Sequence, residues 1–451
     1  MNSDKTGMHG VWSNRWTFIL AATGSAVGLG NIWKFPYITG ENGGGAFVLV
    51  YLVCILAAGI PVMMAEVLLG RKGRMSPINT MRQMTDEQNA PRFFRSIGWM
   101  GAVSGFFILS FYSVIAGWTL AYVVKMASGV FDGADAELAG NEFGGMLGSP
   151  GLLLLLHTLF IILTGIVISR GVHKGLENSV RLMMPLLFMM LILLFGYALT
   201  TPGFGAAIAF LFTVDFSKLS TTSVVVALGH SFFTLSLGMG AIMAYGAYMP
   251  KQASLGRTVL AVGFLDTLVA LVAGVVVFSV VFSNGLEPGA GPGLMFQTLP
   301  VAFSALPAGD LIGTVFFILV AIAAWSSAIS IAEPAVAWSV EKGISRGKAT
   351  VVVCGLSWLL GFGTVLSFNE WSEVTLFGKT FFGTLDFLTS NILLPLGGIL
   401  IAVFVGWFMS REAIGAEARI QSPVLFGLWM FMLRYVSPVA VGLIFINGLL
   451  P

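Results

Sequence analysis

The sequence predicts an all-α, polytopic membrane protein built from two inverted repeats. Composition is the first reason: of 451 residues 57% are hydrophobic and only 10% charged, against about 25% charged in soluble domains. The second is length, because apolar runs of about 20 residues, enough to cross ~30 Å of hydrocarbon, recur from Trp12 to Asn447. The third is a pair of interruptions, GSAVGLGNIWKFP at residues 24–36 and SFFTLSLGMG at residues 231–240, at corresponding places in the two halves. A backbone broken at bilayer depth survives only where it faces protein or a polar cavity. Matched broken segments are the pattern of secondary transporters that hold substrate at the midplane.

The length rule gives about eleven spans, centred near Ala26, Ala57, Ser110, Phe160, Met190, Leu235, Val269, Ile322, Cys354, Leu394 and Phe431. The hardest stretch is 255–311, where a spanning helix adjoins a Gly/Pro-rich loop at 285–293 and a short re-entrant piece. Net charge is only +2, but Lys and Arg gather in alternate loops, at 71–95, 170–181, 251–257, 342–348 and 411–419. The positive-inside rule therefore places the N-terminus in the cytoplasm and, for an odd number of spans, the end at Pro451 outside. Residues 1–10 form a polar tail without the pattern of a removable signal peptide. Cys54 and Cys354 lie inside apolar runs and read as packing thiols.

The strings GSAVGLGNIWKFP, ENGGGAF (41–47), FFTLSLG (232–238) and SSAIS (326–330) resemble those of the neurotransmitter:sodium symporters, the LeuT-fold carriers. The likeness runs through nearly the whole chain, and the count of spans makes it similar to the bacterial eleven-helix subgroup of multi-hydrophobic amino-acid transporters. The resemblance implies helices 1–5 in a first repeat (11–200), helices 6–10 in a second (220–410), and an eleventh helix with a short C-terminus (420–451). Helices 1 and 6 are then unwound at mid-membrane. It also implies a bacterial inner-membrane location, a hydrophobic L-amino-acid substrate, two Na+ sites, and neither nucleic acid nor an obligatory protein partner.

A broken helix sets carbonyls against amides a few ångströms apart, which suits a zwitterion beside a cation. By resemblance, the substrate carboxylate docks near Leu29 and Gly30, with the Tyr112 hydroxyl and Ser236 beside it and Phe233 as a lid. Ile108, Thr234, Met239, Ser327 and Ile331 complete a roomy apolar pocket, with flexible Met239 as an adaptable wall. The first Na+ would be held by Ala26, Asn31, Thr234 and Asp266, the second by Gly24, Val27, Ala323, Ser326 and Ser327. Hydroxyls and carbonyls are the ligands a hard cation wants. Asp266, where relatives usually have Asn, costs at least ~2.5 kcal/mol to insert and should face a cavity or cation. Its charge would replace the chloride that other members need.

Lys34 and Asp386 match an outer gate, with Lys lacking the planar fork of Arg. Glu341 matches the inner gate, its basic partner falling at His9. Glu66 is expected to support the broken first helix, His230 to be a hydrogen-bonding neighbour of the outer vestibule, and the segment from Gly175 to Pro185 to allow unwinding. Enzymatic readings fail: Phe377-Gly378-Lys379-Thr380 lacks the leading glycine of a P-loop, and metalloprotease and nucleophile-elbow motifs are missing. A proton-coupled amino-acid permease of the same fold and a non-transporting membrane sensor remain as alternatives.

Overall fold

The computed structural model describes residues 10–288 and 291–449. Among the described residues nine helices are long and apolar enough to cross a membrane: Gly45–Gly73, Arg92–Ala127, Pro150–Ser169, Val172–Ala198, Leu255–Ser283, Gly309–Glu341, Arg346–Leu366, Phe381–Phe408 and Pro423–Asn447. Two further spans are split. The first consists of Arg15–Ala26, a π turn at Gly30–Lys34 and Phe35–Glu41; the sixth consists of Thr221–Thr234 and Ala241–Ala247. The total is the expected eleven, and both interruptions fall where the glycine-rich strings place them.

Local chemistry fixes where these helices start and stop. Asn14 caps the first half-helix, its Oδ1 accepting the Thr17 amide at 2.9 Å, while Ser220 and Ser223 form a reciprocal capping box at the sixth span. Val27 turns extended, with ψ 112°, and ends the first half-helix. In the sixth span Ser236, Gly238 and Gly240 take φ of 54°, 79° and 76°. A Cβ at Gly238 would also lie 2.5 Å from the Leu394 carbonyl oxygen, so glycine is needed there twice over.

The third and eighth spans pack along each other, with the first span against the seventh and the eighth. Within 255–311 the described residues form the seventh span Leu255–Ser283, a 3-10 turn Gly291–Leu294 and a short helix Thr298–Ser304. There Phe296 packs edge-on to Trp118 and Tyr122 and parallel to Phe143. The Phe377-Gly378 pair forms a tight turn closed by a Leu376–Lys379 bridge, with Phe377 94% exposed at its tip, which is no phosphate cradle.

Candidate functional site

The two breaks meet. Ser236, held at positive φ, donates its hydroxyl to the Ser25 carbonyl at 2.9 Å. A non-glycine residue in this region costs of order 1–3 kcal/mol and persists only where its surroundings over-determine it; here the bond across the two breaks does so. Gly30 faces the Phe233 ring, whose nearest carbons lie 3.3 Å from where a Cβ would stand.

One oxygen cluster joins the first, sixth and seventh spans. Asn31 Nδ2 donates to Asp266 Oδ1 at 2.7 Å, to the Asp266 carbonyl at 3.1 Å and to Thr234 Oγ1 at 3.0 Å. The Thr234 hydroxyl donates to Asp266 Oδ2 at 3.0 Å, and Asn31 Oδ1 accepts the Gly28 amide at 3.0 Å. All three side chains are essentially sealed from solvent. A second cluster joins the first break to the eighth span. The Ser327 hydroxyl lies within reach of the carbonyls of Val27 at 3.1 Å, Ser25 at 3.2 Å and Gly24 at 3.5 Å, while Ser326 Oγ donates to the Ala323 carbonyl at 3.0 Å. A Cβ on Gly28 would sit 2.6 Å from Ser327 Oγ, so the close approach demands glycine. Among the described residues no three His, Cys, Asp or Glu side chains gather. The donors are hydroxyl, amide and carbonyl oxygens plus one carboxylate, a set that fits a hard cation of low charge rather than a transition metal.

Some of the expected pocket residues lie close together. Leu29 N lies 3.5 Å from Tyr112 Oη. Gly105 of the third span packs against the backbone oxygens of Ile331 and Met239, and Ile108, Tyr112, Met239 and Ile331 are all buried. Lys34 and Asp386 take other partners. The ammonium of Lys34 lies 4.5 Å from the centre of the Phe233 ring and Asp386 Oδ1 accepts from Ser390 Oγ at 3.0 Å, with no ion pair joining the two among the described residues. Glu341 accepts from the Ser76 amide at 2.6 Å, from the Ser76 hydroxyl, and from Asn79 Nδ2 at 2.5 Å. Its expected partner His9 lies outside the described residues.

Two expectations are corrected. Glu66 supports the sixth span rather than the first: Oε1 accepts the Gly238 amide at 2.6 Å, because the left-handed turn at Gly238 frees that N–H from the helix. His230 makes no hydrogen bond among the described residues and instead packs on Phe35 and Tyr51, with centroids 5.9 and 5.3 Å away. At the start of the fifth span Val172–Glu177 form a π turn, in which Glu177 accepts from the Ser13 hydroxyl and pairs with Arg181 at 2.6 Å, and Pro185 lies inside the helix that follows, Asn178–Ala198.

Two groups had escaped sequence reasoning. Ser25 donates to Ser330 Oγ at 2.8 Å, and Ser330 to the Ser327 carbonyl at 2.8 Å, extending the second cluster. The spacing of Ser326, Ser327 and Ser330 along one helix face was the available signal. The other group is Glu333, fully buried, which accepts from Tyr248 Oη at 2.7 Å and pairs with Arg346 at 2.5 Å. Trp12 N donates to the Tyr248 carbonyl at 2.8 Å, so this group anchors the start of the first span.

A model of the sodium:neurotransmitter symporter family matches residues 9–132 and 142–450. The chain belongs to that family. It is 38% identical over 443 residues to the uncharacterized sodium-dependent transporter YhdH of Bacillus subtilis, covering 97% of each chain. It is 34% identical over 446 residues to an uncharacterized sodium-dependent transporter of Haemophilus influenzae, covering 97% of this chain and 98% of that one. The crystal structure of MhsT in complex with L-phenylalanine superposes with a TM-score of 0.89 at 42% identity, over 97% of this chain and 99% of that chain. This symporter therefore has the LeuT fold and is a multi-span, sodium-dependent membrane transporter. Its family is one of carriers, not enzymes.

Proposed function

We propose that this protein is a Na+-coupled symporter of hydrophobic and aromatic L-amino acids that works by alternating access in a bacterial inner membrane, with its N-terminus in the cytoplasm. The observation that carries the reading is the meeting of the two breaks: Ser236 bonds the Ser25 carbonyl across them, Leu29 N lies 3.5 Å from Tyr112 Oη, and Asn31 joins Thr234 and Asp266. The similarity to MhsT, solved with L-phenylalanine, supports the same substrate class.

In this reading the substrate carboxylate completes the shell of a first Na+ held by Ala26, Asn31, Thr234 and Asp266. Asn31 Nδ2 now points at Asp266, so ligation through Oδ1 requires a half turn of the amide. A second Na+ sits among Gly24, Val27, Ala323, Ser326 and Ser327 and ties the first span to the eighth. Ile108, Phe233, Met239 and Ile331 receive the side chain. Lys34, Asp386 and Glu341 act as gates. Two Na+ entering with a zwitterion draw about 4.6 kcal/mol from 100 mV of membrane potential.

The test is uptake of labelled leucine, phenylalanine and tryptophan into proteoliposomes. Accumulation with an inward Na+ gradient and none in choline is expected. Accumulation driven by a proton gradient alone would instead indicate a permease, and binding without flux a sensor.

A further inference from the structure

Next to Glu341, the surface helix Pro77–Glu87, the beginning of the third span and the end of the eighth line a cavity of about 260 Å3, at the end of the molecule that the charge rule assigns to the cytoplasm. Asn79, Arg82, Arg95, Trp99, Trp338 and Lys342 line it, and its lining holds three cations and no carboxylate. Arg95 pairs with Asp86 yet keeps its Nε buried without a partner. Arg82 and Lys342 make no ion pair among the described residues; the Lys342 ammonium lies 5.8 Å over Trp338. The floor is the edge-to-face pair Trp99–Trp338, centroids 4.9 Å apart, and Trp99 is 48% exposed.

We propose that this cavity binds the phosphate ester of an anionic phospholipid headgroup and so ties helix Pro77–Glu87 to the end of the eighth span. Two cations without an ion pair among the described residues, and a third whose Nε stays unpartnered, call for a compact multivalent acceptor, which a phosphate supplies. An exposed indole such as Trp99, at the end of a spanning helix, is the kind of side chain that favours the bilayer interface over open water. The leaflet on the basic side is the anionic one. Asn79 both lines the cavity and donates to Glu341, the neighbour of Lys342. A bound headgroup therefore braces the contact that the Glu341 carboxylate makes with Ser76 and Asn79.

The experiment is native mass spectrometry of the full chain with dioleoyl phosphatidylglycerol or phosphatidylcholine. The comparison is between wild type, Arg82→Gln/Lys342→Gln, and a control lacking two other arginines of the same side, Arg411→Gln/Arg419→Gln. With each cation near a membrane surface worth about one kcal/mol, the first double variant should retain phosphatidylglycerol roughly tenfold to thirtyfold less. The control and the phosphatidylcholine adducts should be unchanged. Equal retention by wild type and the first variant overturns the proposal. So does displacement of the lipid by millimolar inorganic phosphate, which would assign the cavity to a soluble anion. A shared melting temperature in lipid-free detergent excludes misfolding of the variant as the cause.

Discussion

The Ser327 hydroxyl donates to the Val27 carbonyl at 3.1 Å across 300 residues of sequence. That bond joins the broken first span to the unbroken eighth, and Ser327 reaches the Ser25 and Gly24 carbonyls as well. A cation placed here would couple the two spans directly. Ser327→Ala removes the shared oxygen and leaves buried carbonyls short of a partner, a loss of about 1–3 kcal/mol. The Na+ concentration for half-maximal uptake should rise at least fivefold, while Ser326→Thr, which keeps its hydroxyl, should stay near wild type. Na+ titration of leucine uptake decides.

Met239 lies in the sixth-span break, its backbone oxygen against Gly105 of the third span. Enlarging it to Phe overfills a packed wall at a cost of typically 1–3 kcal/mol. Tryptophan should lose affinity more than leucine, measured by competition against labelled leucine. Equal competition by both in the variant would remove Met239 from the pocket.

Asp266 brings a carboxylate where Asn31 and Thr234 both donate to it. If its charge balances the first Na+, replacing chloride with gluconate should leave wild-type uptake intact. Asp266→Asn should fail at low chloride and recover in part at high chloride. Strong inhibition of the wild type by gluconate would sink the assignment.

Fully buried Glu333 pairs with the half-buried Arg346 and accepts from Tyr248 as well. Removing one partner of such a pair typically costs 3–5 kcal/mol, because the other charge is stranded. Arg346→Met should lower the melting temperature in detergent clearly more than Tyr248→Phe, which removes a single hydroxyl. The double variant Glu333→Leu/Arg346→Met should regain much of the loss.

Gly238→Ala would set a Cβ 2.5 Å from the Leu394 carbonyl oxygen at a backbone angle alanine resists. It should abolish transport. The control is Gly442→Ala, which meets no neighbouring atom and should transport normally.

What the sequence determined by itself follows from properties local to the chain. Bilayer thickness sets how long an apolar run must be, so the eleven spans were legible, and glycine strings inside two of them showed where the helices break. The resemblance of four short motifs added the fold and the oxygen donors. The tertiary structure alone decided which elements those donors serve. Glu66 lies in the second span, and nothing in its neighbours tells that the amide it accepts belongs to Gly238, 172 residues away. Lys34 and Asp386 match an expected outer gate, yet the ring of Phe233 and the hydroxyl of Ser390 take them instead. Glu333 would have read as a costly acid in an apolar helix; Arg346 and Tyr248 satisfy it, and through Tyr248 the start of the first span. Hydrophobic length and backbone conformation are written along the chain, whereas the partner of a buried polar group depends on which faces of distant helices are brought together.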